Sequence, residues 1–498
     1  MTNTFSNLGA AVFGGDPDRP ALVDLSGGVA RRFSYGDIDR HADATARALL
    51  AWGLTAGERV AILSDNRAEV LWAFLGAMRA GLVAVPVNHK LPAATVAVVL
   101  ADCGARLVFV DAAHAALVPE GLASVAMERF EGFASDMSPF AAVVPRPSDP
   151  AMFLYTSGST GRPKGVVLSH RSHLWVLEVR TRKPDLDRER VLVAAPLYHM
   201  NGLAMAQLTM ASGGFLVLLP GFTARSYIAA AAGWGVTAMT AVPPMVAMML
   251  QEPALLGGGR LDAVRSIRMG SAPITQTLVD RVRAAFPNAA ITNGYGTTEA
   301  GPVVFAPHAD GLATPDTSLG IAHPDVSLRL VRDGHVVEDE GVLEMRCPAL
   351  MNAYHNLPEA TAKALTPDGF YITGDVFARD GAGFFSFVGR ADDMFVSGGE
   401  NIYPGEVETI LESHPGIAHA CVVALPDEIK GTKPAAFVVA RPEAHLTEDE
   451  VRAYVLARAP AYAHPRRVWF VPDLPLAGTN KIDRKALLAR AMQAVQEA

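Results

Sequence analysis

Apolar and polar positions alternate along the first part of the chain in two rhythms. Between Pro20 and Val110 short apolar clusters, ALVDL, VAILS and LVAVPVN, are separated by helically spaced segments, HADATARALLAWG and EVLWAFLGAMRAG. Strand-sized runs alternating with helix-sized runs predict an α/β fold of doubly wound, mostly parallel sheets. Asp65-Asn66, just ahead of the helix that carries Leu71 and Phe74, reads as a helix cap. After Ala112 the pattern loosens into a connection that ends at VVPRPSDP. Val191 to Ala224 and Ser226 to Gln251 carry no charge. Pro196, His199, Asn201, Gln207 and Gly213-Gly214 interrupt the first, and Gly233, Gly235 and Pro243-Pro244 the second. Buried strands and helices therefore explain them better than membrane spans. Beyond Val303 short strands alternate with glycine turns, as in SLRLVRDGHVVEDEGVLEMRC, which predicts a small β-rich subdomain over about 303–391. The remainder reads as a compact α/β module, with an amphipathic helix from Pro404 to His414 and strands at HACVVALP and PAAFVVA.

Composition narrows the picture slightly. A chain of 498 residues exceeds a single core. Its 43 basic and 51 acidic residues give a net charge of −8 with no basic block, which argues against nucleic acid as a partner. Cys103, Cys347 and Cys421 are far apart and form no metal-binding spacing; they read as reduced, buried thiols of a cytoplasmic protein. The opening MTNTFSNLGAAVFGGDPDRP has no cationic stretch before an apolar core, so no signal peptide is expected.

Candidate chemistry concentrates in glycine- and hydroxyl-rich breaks between strands. FLYTSGSTGRPKGVVLSH, Phe153 to His170, reads as a strand, a phosphate-sized loop and a strand. Thr156, Ser157, Ser159 and Thr160 offer hydroxyls, Gly158, Gly161 and Gly165 free the backbone to present N–H groups, and Arg162 and Lys164 add positive charge. It is not a Walker A loop, because Lys164 is followed by Gly165 rather than Ser or Thr. Tyr198 to Gly202 forms a turn after a strand ending at Pro196-Leu197. SIRMGSAPI breaks at Gly270, Ser271, Ala272 and Pro273 ahead of a helix from about Thr275, and small residues there suit a flat adenine or a ribose. ITNGYGTTEAG breaks in the same way after its strand.

YTSGSTGRPKG, Tyr155 to Gly165, resembles the signature loop of the adenylate-forming (ANL) superfamily of acyl- and aryl-CoA synthetases, luciferases and peptide-synthetase adenylation domains. The other motifs of that superfamily follow in order from about Pro20 to Leu487. The resemblance implies a large N-terminal domain, 1–391, and a small mobile C-terminal domain, 392–498, hinged at Asp392. It implies a carboxylic acid:CoA ligase that uses ATP, Mg2+ and coenzyme A and passes through an acyl-adenylate. Thr156, Ser157, Gly158, Ser159, Thr160 and Lys164 would close on the ATP phosphates. Gly270 to Pro273 and Asn293, Gly294, Tyr295, Gly296, Thr297 and Thr298 would line the nucleotide site, with Tyr295 on adenine and Thr298 on phosphate. Glu299 and Thr156 would hold Mg2+. Asp375 would accept the ribose hydroxyls, a use that suits its two oxygens, and Arg390 would meet ribose or α-phosphate. Lys481 would bridge the substrate carboxylate and the α-phosphate, although Asn480 stands where the family commonly has Gly. Gly398, Gly399 and Glu400 would line the pantetheine tunnel, and Lys430 would meet CoA phosphates. His199, Met200, Asn201, Val242, Pro243, Met245 and Gly294 would form the acyl pocket, His199 gating it. No Arg or Lys stands among those positions and Gly294 leaves room, so a monocarboxylic aryl, cyclic or medium-chain acid is expected. The alternatives are an adenylation enzyme that loads a carrier protein and a non-enzymatic binding relative.

Overall fold

The computed structural model describes residues 5–157, 163–257, 261–397, 400–427, 431–459, 461–477 and 482–496. Two seven-stranded sheets dominate. One runs in the order Ala290–Gly294, Ser266–Gly270, Ala238–Ala241, Arg190–Val193, Phe215–Leu218, Pro20–Asp24, Arg31–Ser34, parallel except for its last pair. The other runs Ala353–Tyr354, Pro163–Ser169, Pro150–Ser157, Val83–Pro86, Arg59–Leu63, Ala105–Val110, Ser124–Ala126.

Between the sheets lies the helix Ala68–Arg79, every residue of which is buried. A helix apolar on all sides has to be enclosed, and one cluster joins Leu71, Phe74 and Met78 to Leu22 and Leu216 of the first sheet and to Val60 and Ile62 of the second. The outer faces have their own cores: Met239, Ile267 and Val279 on one side, Val96, Leu100 and Val108 on the other. The result is layered and doubly wound, as the alternating pattern predicts. A five-stranded antiparallel sheet follows, His335–Val337, Ser327–Arg332, Glu340–Arg346, Tyr371–Arg379, Phe385–Arg390. The C-terminal sheet, built on the long pair Ile417–Asp427 and Gly431–Ala440, has separate core clusters around Leu411, Val422 and Val438 and around Cys421 and Phe437. The three cysteines are free and buried. No described helix is long and apolar enough to cross a membrane.

Three local expectations are corrected. The strand before the Tyr198 turn ends at Val193, and the helix expected from Pro404 to His414 ends at Glu412. Asp65-Asn66 is not a cap: the helix begins at Ala68, whose N–H donates to Asp24 Oδ2 at 3.0 Å. Asn66 instead clamps the segment leading to His199, donating to Ala195 O and Leu219 O and accepting the Leu197 N–H at 2.8 Å. Asp65 lies 3.3 Å from His89 Nε2.

Candidate active site

The signature stretch is a β-hairpin. Pro150–Ser157 pairs antiparallel with Pro163–Ser169, setting Thr156 opposite Lys164 and Ser157 opposite Pro163. Two paired stems fix where the loop emerges; Gly158, Ser159, Thr160, Gly161 and Arg162 lie outside the described residues. Lys164 Nζ stands 5.1 Å from the Tyr354 ring centroid, a distance at which a cation is attracted by an aromatic face.

Tyr354 connects the hairpin to Glu299. Its hydroxyl donates to Glu299 Oε1 at 2.8 Å, while the Glu299 carbonyl accepts the Met351 N–H at 2.7 Å. Burial lifts the Glu299 carboxyl above the ordinary carboxylate range, opposed by the hydroxyls of Tyr354 and Tyr371 and by the Lys164 charge. A buried carboxylate wants a cation, and a hard oxygen donor there suits Mg2+. Sequence reasoning missed Tyr354, on a two-residue strand, and Tyr371, the first residue of the strand Tyr371–Arg379; both are remote in sequence from the motif they support.

A second knot joins three motifs. Asp375 and Arg390 face each other across antiparallel strands. Asp375 Oδ1 accepts Arg390 Nη1 at 2.8 Å and Oδ2 accepts the Tyr295 hydroxyl. Arg390 continues to Asp392, donating from Nε to Oδ1 at 2.8 Å. Burial works against the Arg390 charge, but Asp392 and Asp375 outweigh it and hold the guanidinium ionised. Two acceptor positions of Asp375 are therefore used inside the protein, leaving lone pairs for a ligand. The Tyr295 ring packs edge-on to Phe377, centroids 5.0 Å apart, and beside Phe305.

The two glycine-rich turns lie side by side because their strands are in register, Gly270 opposite Gly294. A Cβ on Gly270 would stand 2.6 Å from Gly294 O, so only glycine permits this approach. Ser271 adopts a left-handed conformation, φ 65°, a conformation concentrated at functional turns. Ala272 and Pro273 continue this turn toward the Gln276–Ala285 helix. Asn293 donates to Thr317 O at 3.1 Å, Thr297 Oγ1 accepts the Ala300 N–H, and Gly296 packs against Pro302 where a Cβ would not fit. Thr298 stands half-buried beside Glu299.

The expected acyl residues gather at the same edge of the first sheet. His199 precedes the Met200–Ser212 helix with its ring 4.7 Å from that of Tyr198, and Asn201 in the first turn bonds Thr240 Oγ1 at 3.2 Å. Val242 opens the Pro243–Met249 helix, in which Pro243 and Met245 are buried. None of these positions is Arg or Lys, but two arginines lie beside them: Arg268, mid-strand in SIRMGSAPI, lies against Gly294, and Arg180 is close enough for the two charges to repel. The room attributed to Gly294 is filled by that guanidinium. The available signal was a single arginine between Ile267 and Met269 in an otherwise apolar strand.

Not every expected residue joins this assembly. Glu400 begins the strand Glu400–Ile402, paired with Phe395–Ser397 in the small sheet. Gly398, Gly399, Lys430 and Lys481 lie outside the described residues.

The pattern of the AMP-binding enzyme family matches residues 11–355, and that of the AMP-binding enzyme C-terminal domain matches 406–481. The chain belongs to the AMP-binding enzyme family. Within it the chain stands in the CoA synthetase branch of the adenylate-forming superfamily, as an AMP-forming acyl-CoA synthetase that uses ATP, Mg2+ and coenzyme A. It is 34% identical to a feruloyl-CoA synthase of an Amycolatopsis species over 92% of this chain and 93% of that one. It is 32% identical to the fatty acid–[acyl-carrier-protein] ligase ScoC of Streptomyces coeruleorubidus over 95% of this chain and 94% of the other. Among solved structures, ATP-bound MatB from Rhodopseudomonas palustris superposes on this AMP-binding enzyme with a TM-score of 0.90 and 27% identity, covering 99% of this chain and all of the other.

Proposed function

We propose that this enzyme joins a carboxylic acid to coenzyme A in two steps at the edge where Lys164, Tyr295, Glu299, Asp375 and Arg390 converge. That convergence, from four separate segments, is the observation that carries the reading. In the first step a carboxylate oxygen of the acid attacks the α-phosphorus of ATP, and the bond to pyrophosphate breaks. Thr156 to Lys164, with Thr298, neutralise the phosphate charge, and Lys481 bridges the attacking carboxylate and the α-phosphate as charge builds. Glu299, with Thr156, would hold the Mg2+ that accompanies ATP, which would supply screening of the phosphate charge. Asp375 accepts the ribose hydroxyls with the lone pairs that Arg390 and Tyr295 leave free, and adenine lies between Tyr295 and the turn Gly270 to Pro273.

In the second step the thiol sulfur of coenzyme A attacks the acyl carbon, the thiol proton is lost to solvent, and AMP leaves. We assign to residues 392–498 the role of a module that turns about Asp392, withdrawing Lys481 and bringing Gly398 to Glu400 to the thiol, with Lys430 near the CoA phosphates. The separate core of the C-terminal sheet supports this, because a module with its own core can move as a unit.

The decisive test is AMP release by the purified enzyme with an acid panel. Release that depends on coenzyme A supports the ligase; release that requires a carrier protein instead supports the second reading, to which the resemblance to ScoC points. Lys481→Ala should abolish adenylate formation from acid and ATP yet largely spare thioester formation from supplied acyl-adenylate. Equal loss of both steps would refute the division of labour.

A further inference from the structure

Arg268 belongs to the strand Ser266–Gly270, whose neighbouring residues Ile267 and Met269 are buried in the core on one face of the sheet. Alternation turns Arg268 to the other face. Its in-register neighbours Thr240 and Thr292 share that face, and Thr240 bonds Asn201 of the Met200–Ser212 helix. Arg180 reaches the same space from the last turn of the helix His170–Thr181, donating from Nη2 to Met205 Sδ at 2.9 Å. The Arg268 head extends to the motif edge of the sheet: a Cβ on Gly294 would fall 2.6 Å from its Nε and 2.7 Å from its Nη2.

This arrangement lacks a counterion. Among the described residues neither guanidinium has a carboxylate partner, and the one charge that acts on Arg180 is Arg268 itself. A thioether is a weak acceptor. Enclosing two cations together without an anion works against folding, and among the described residues neither joins two elements by an ion pair. Both side chains keep part of their surface accessible, as groups that line a ligand space do. A guanidinium fork matches a carboxylate, sulfonate or phosphonate through two parallel N–H bonds. Thr240 donates its hydroxyl to Asn201 Oδ1, which leaves the Asn201 amide N–H groups and the Thr292 hydroxyl as neutral donors.

Resting on the ligase reading above, we propose that Arg268 and Arg180 form an anion subsite in the acyl pocket. It binds a second, non-reacting anionic group of the acid substrate. The substrate class is thus a dicarboxylic acid, or a carboxylic acid bearing a sulfonate or phosphonate. The reacting carboxylate goes to the α-phosphorus, and the second anion stays with the arginines through both steps.

The test measures kcat/KM for coenzyme A-dependent AMP release with unbranched dicarboxylates from malonate to suberate. Each is compared with its monomethyl ester, which keeps length and shape and removes one charge. Octanoate, benzoate and 4-sulfobutyrate complete the panel. The best diacid should exceed its ester on the order of 10- to 100-fold, the value of a charge-assisted bidentate pair. Arg268→Met should remove that advantage, bringing the diacid and its ester to within about twofold of each other. Performance of 4-sulfobutyrate against glutarate decides which anion is preferred. An ester, octanoate or benzoate matching the best dianionic acid in the wild-type enzyme would overturn the subsite and leave the ligase reading standing, whether or not the variant folds. No AMP from any acid would overturn the ligase reading itself.

Discussion

Replacing Arg268 by Met is expected to make the ligand-free enzyme more stable while removing its anion preference. Burial first, and the neighbouring Arg268 charge second, bring the Arg180 guanidinium well below its ordinary value, to about 9. At roughly 1.4 kcal/mol per pKa unit, that fall disfavours the charged form by something on the order of 5 kcal/mol as an upper bound. The substitution relieves the repulsive share on Arg180 and exchanges an enclosed cation for an apolar chain of similar length. Such exchanges return about 1–2 kcal/mol. For a domain of this size that is about 2–4 °C in melting temperature. Differential scanning fluorimetry in a chloride buffer free of phosphate and sulfate reads the shift, since polyvalent anions would occupy the subsite. Wild type should then gain stability on addition of its best dicarboxylate, and Arg268→Met should gain little. A melting temperature lowered by Arg268→Met, together with equal stabilisation of both proteins by the diacid, would refute the reasoning: Arg268 would then be a structural group.

Three further outcomes follow from the geometry. In Asp375→Asn the Arg390 head and the Tyr295 hydroxyl lose their charged acceptor; ATP affinity measured by calorimetry should fall on the order of tenfold or more. The stability cost should stay near about 1 kcal/mol, because the Arg390 side chain is 41% exposed and keeps Asp392. Because burial raises the Glu299 carboxyl, the folded state holds that proton, so the stability it lends is lost as pH climbs from the ordinary carboxylate value through the raised one. Over the same window Mg·ATP affinity should rise with pH, and Glu299→Gln should flatten that dependence in titrations. Gly202→Ala would place a Cβ 2.5 Å from Ala195 O and 2.7 Å from Pro196 O, backbone atoms that cannot turn aside. It should cost about 1–3 kcal/mol and raise KM for the acid, because the turn carrying His199 and Asn201 must move.

The layered fold was readable because its signals are local. Alternating strand and helix patterns between Pro20 and Val110 require no knowledge of distant partners, and the hairpin at Phe153 to His170 announces itself by composition. What escaped depends on register. Whether Arg268 faces a core or a pocket is settled by which neighbours it has, Thr240 on one side and Thr292 on the other. The charge beside the expected acyl positions is not visible from those positions, because it lies on Arg268 and Arg180 outside the motifs. Tyr354 is similarly invisible until its two-residue strand pairs with Val166 and Val167 and delivers the hydroxyl to Glu299. Asp65-Asn66 shows the opposite error: a good local cap signal lost to a tertiary use, with Asp24 supplying the acceptor at the helix start instead.

The burial of Cys103, Cys347 and Cys421 has a practical consequence. Burial pushes the first two thiols up to about 11 and the third further still, so almost no thiolate is present at neutral pH and none is within reach of a reagent. The wild-type chain should be nearly silent toward maleimides. Cysteines introduced at the exposed positions Glu120 and Glu443 would therefore be the reactive ones, and a dye pair attached there would report the distance between large and small modules without stripping out the native thiols. The proposed turning of residues 392–498 between adenylation and thioester formation would then be read as a fluorescence change in real time during a single turnover.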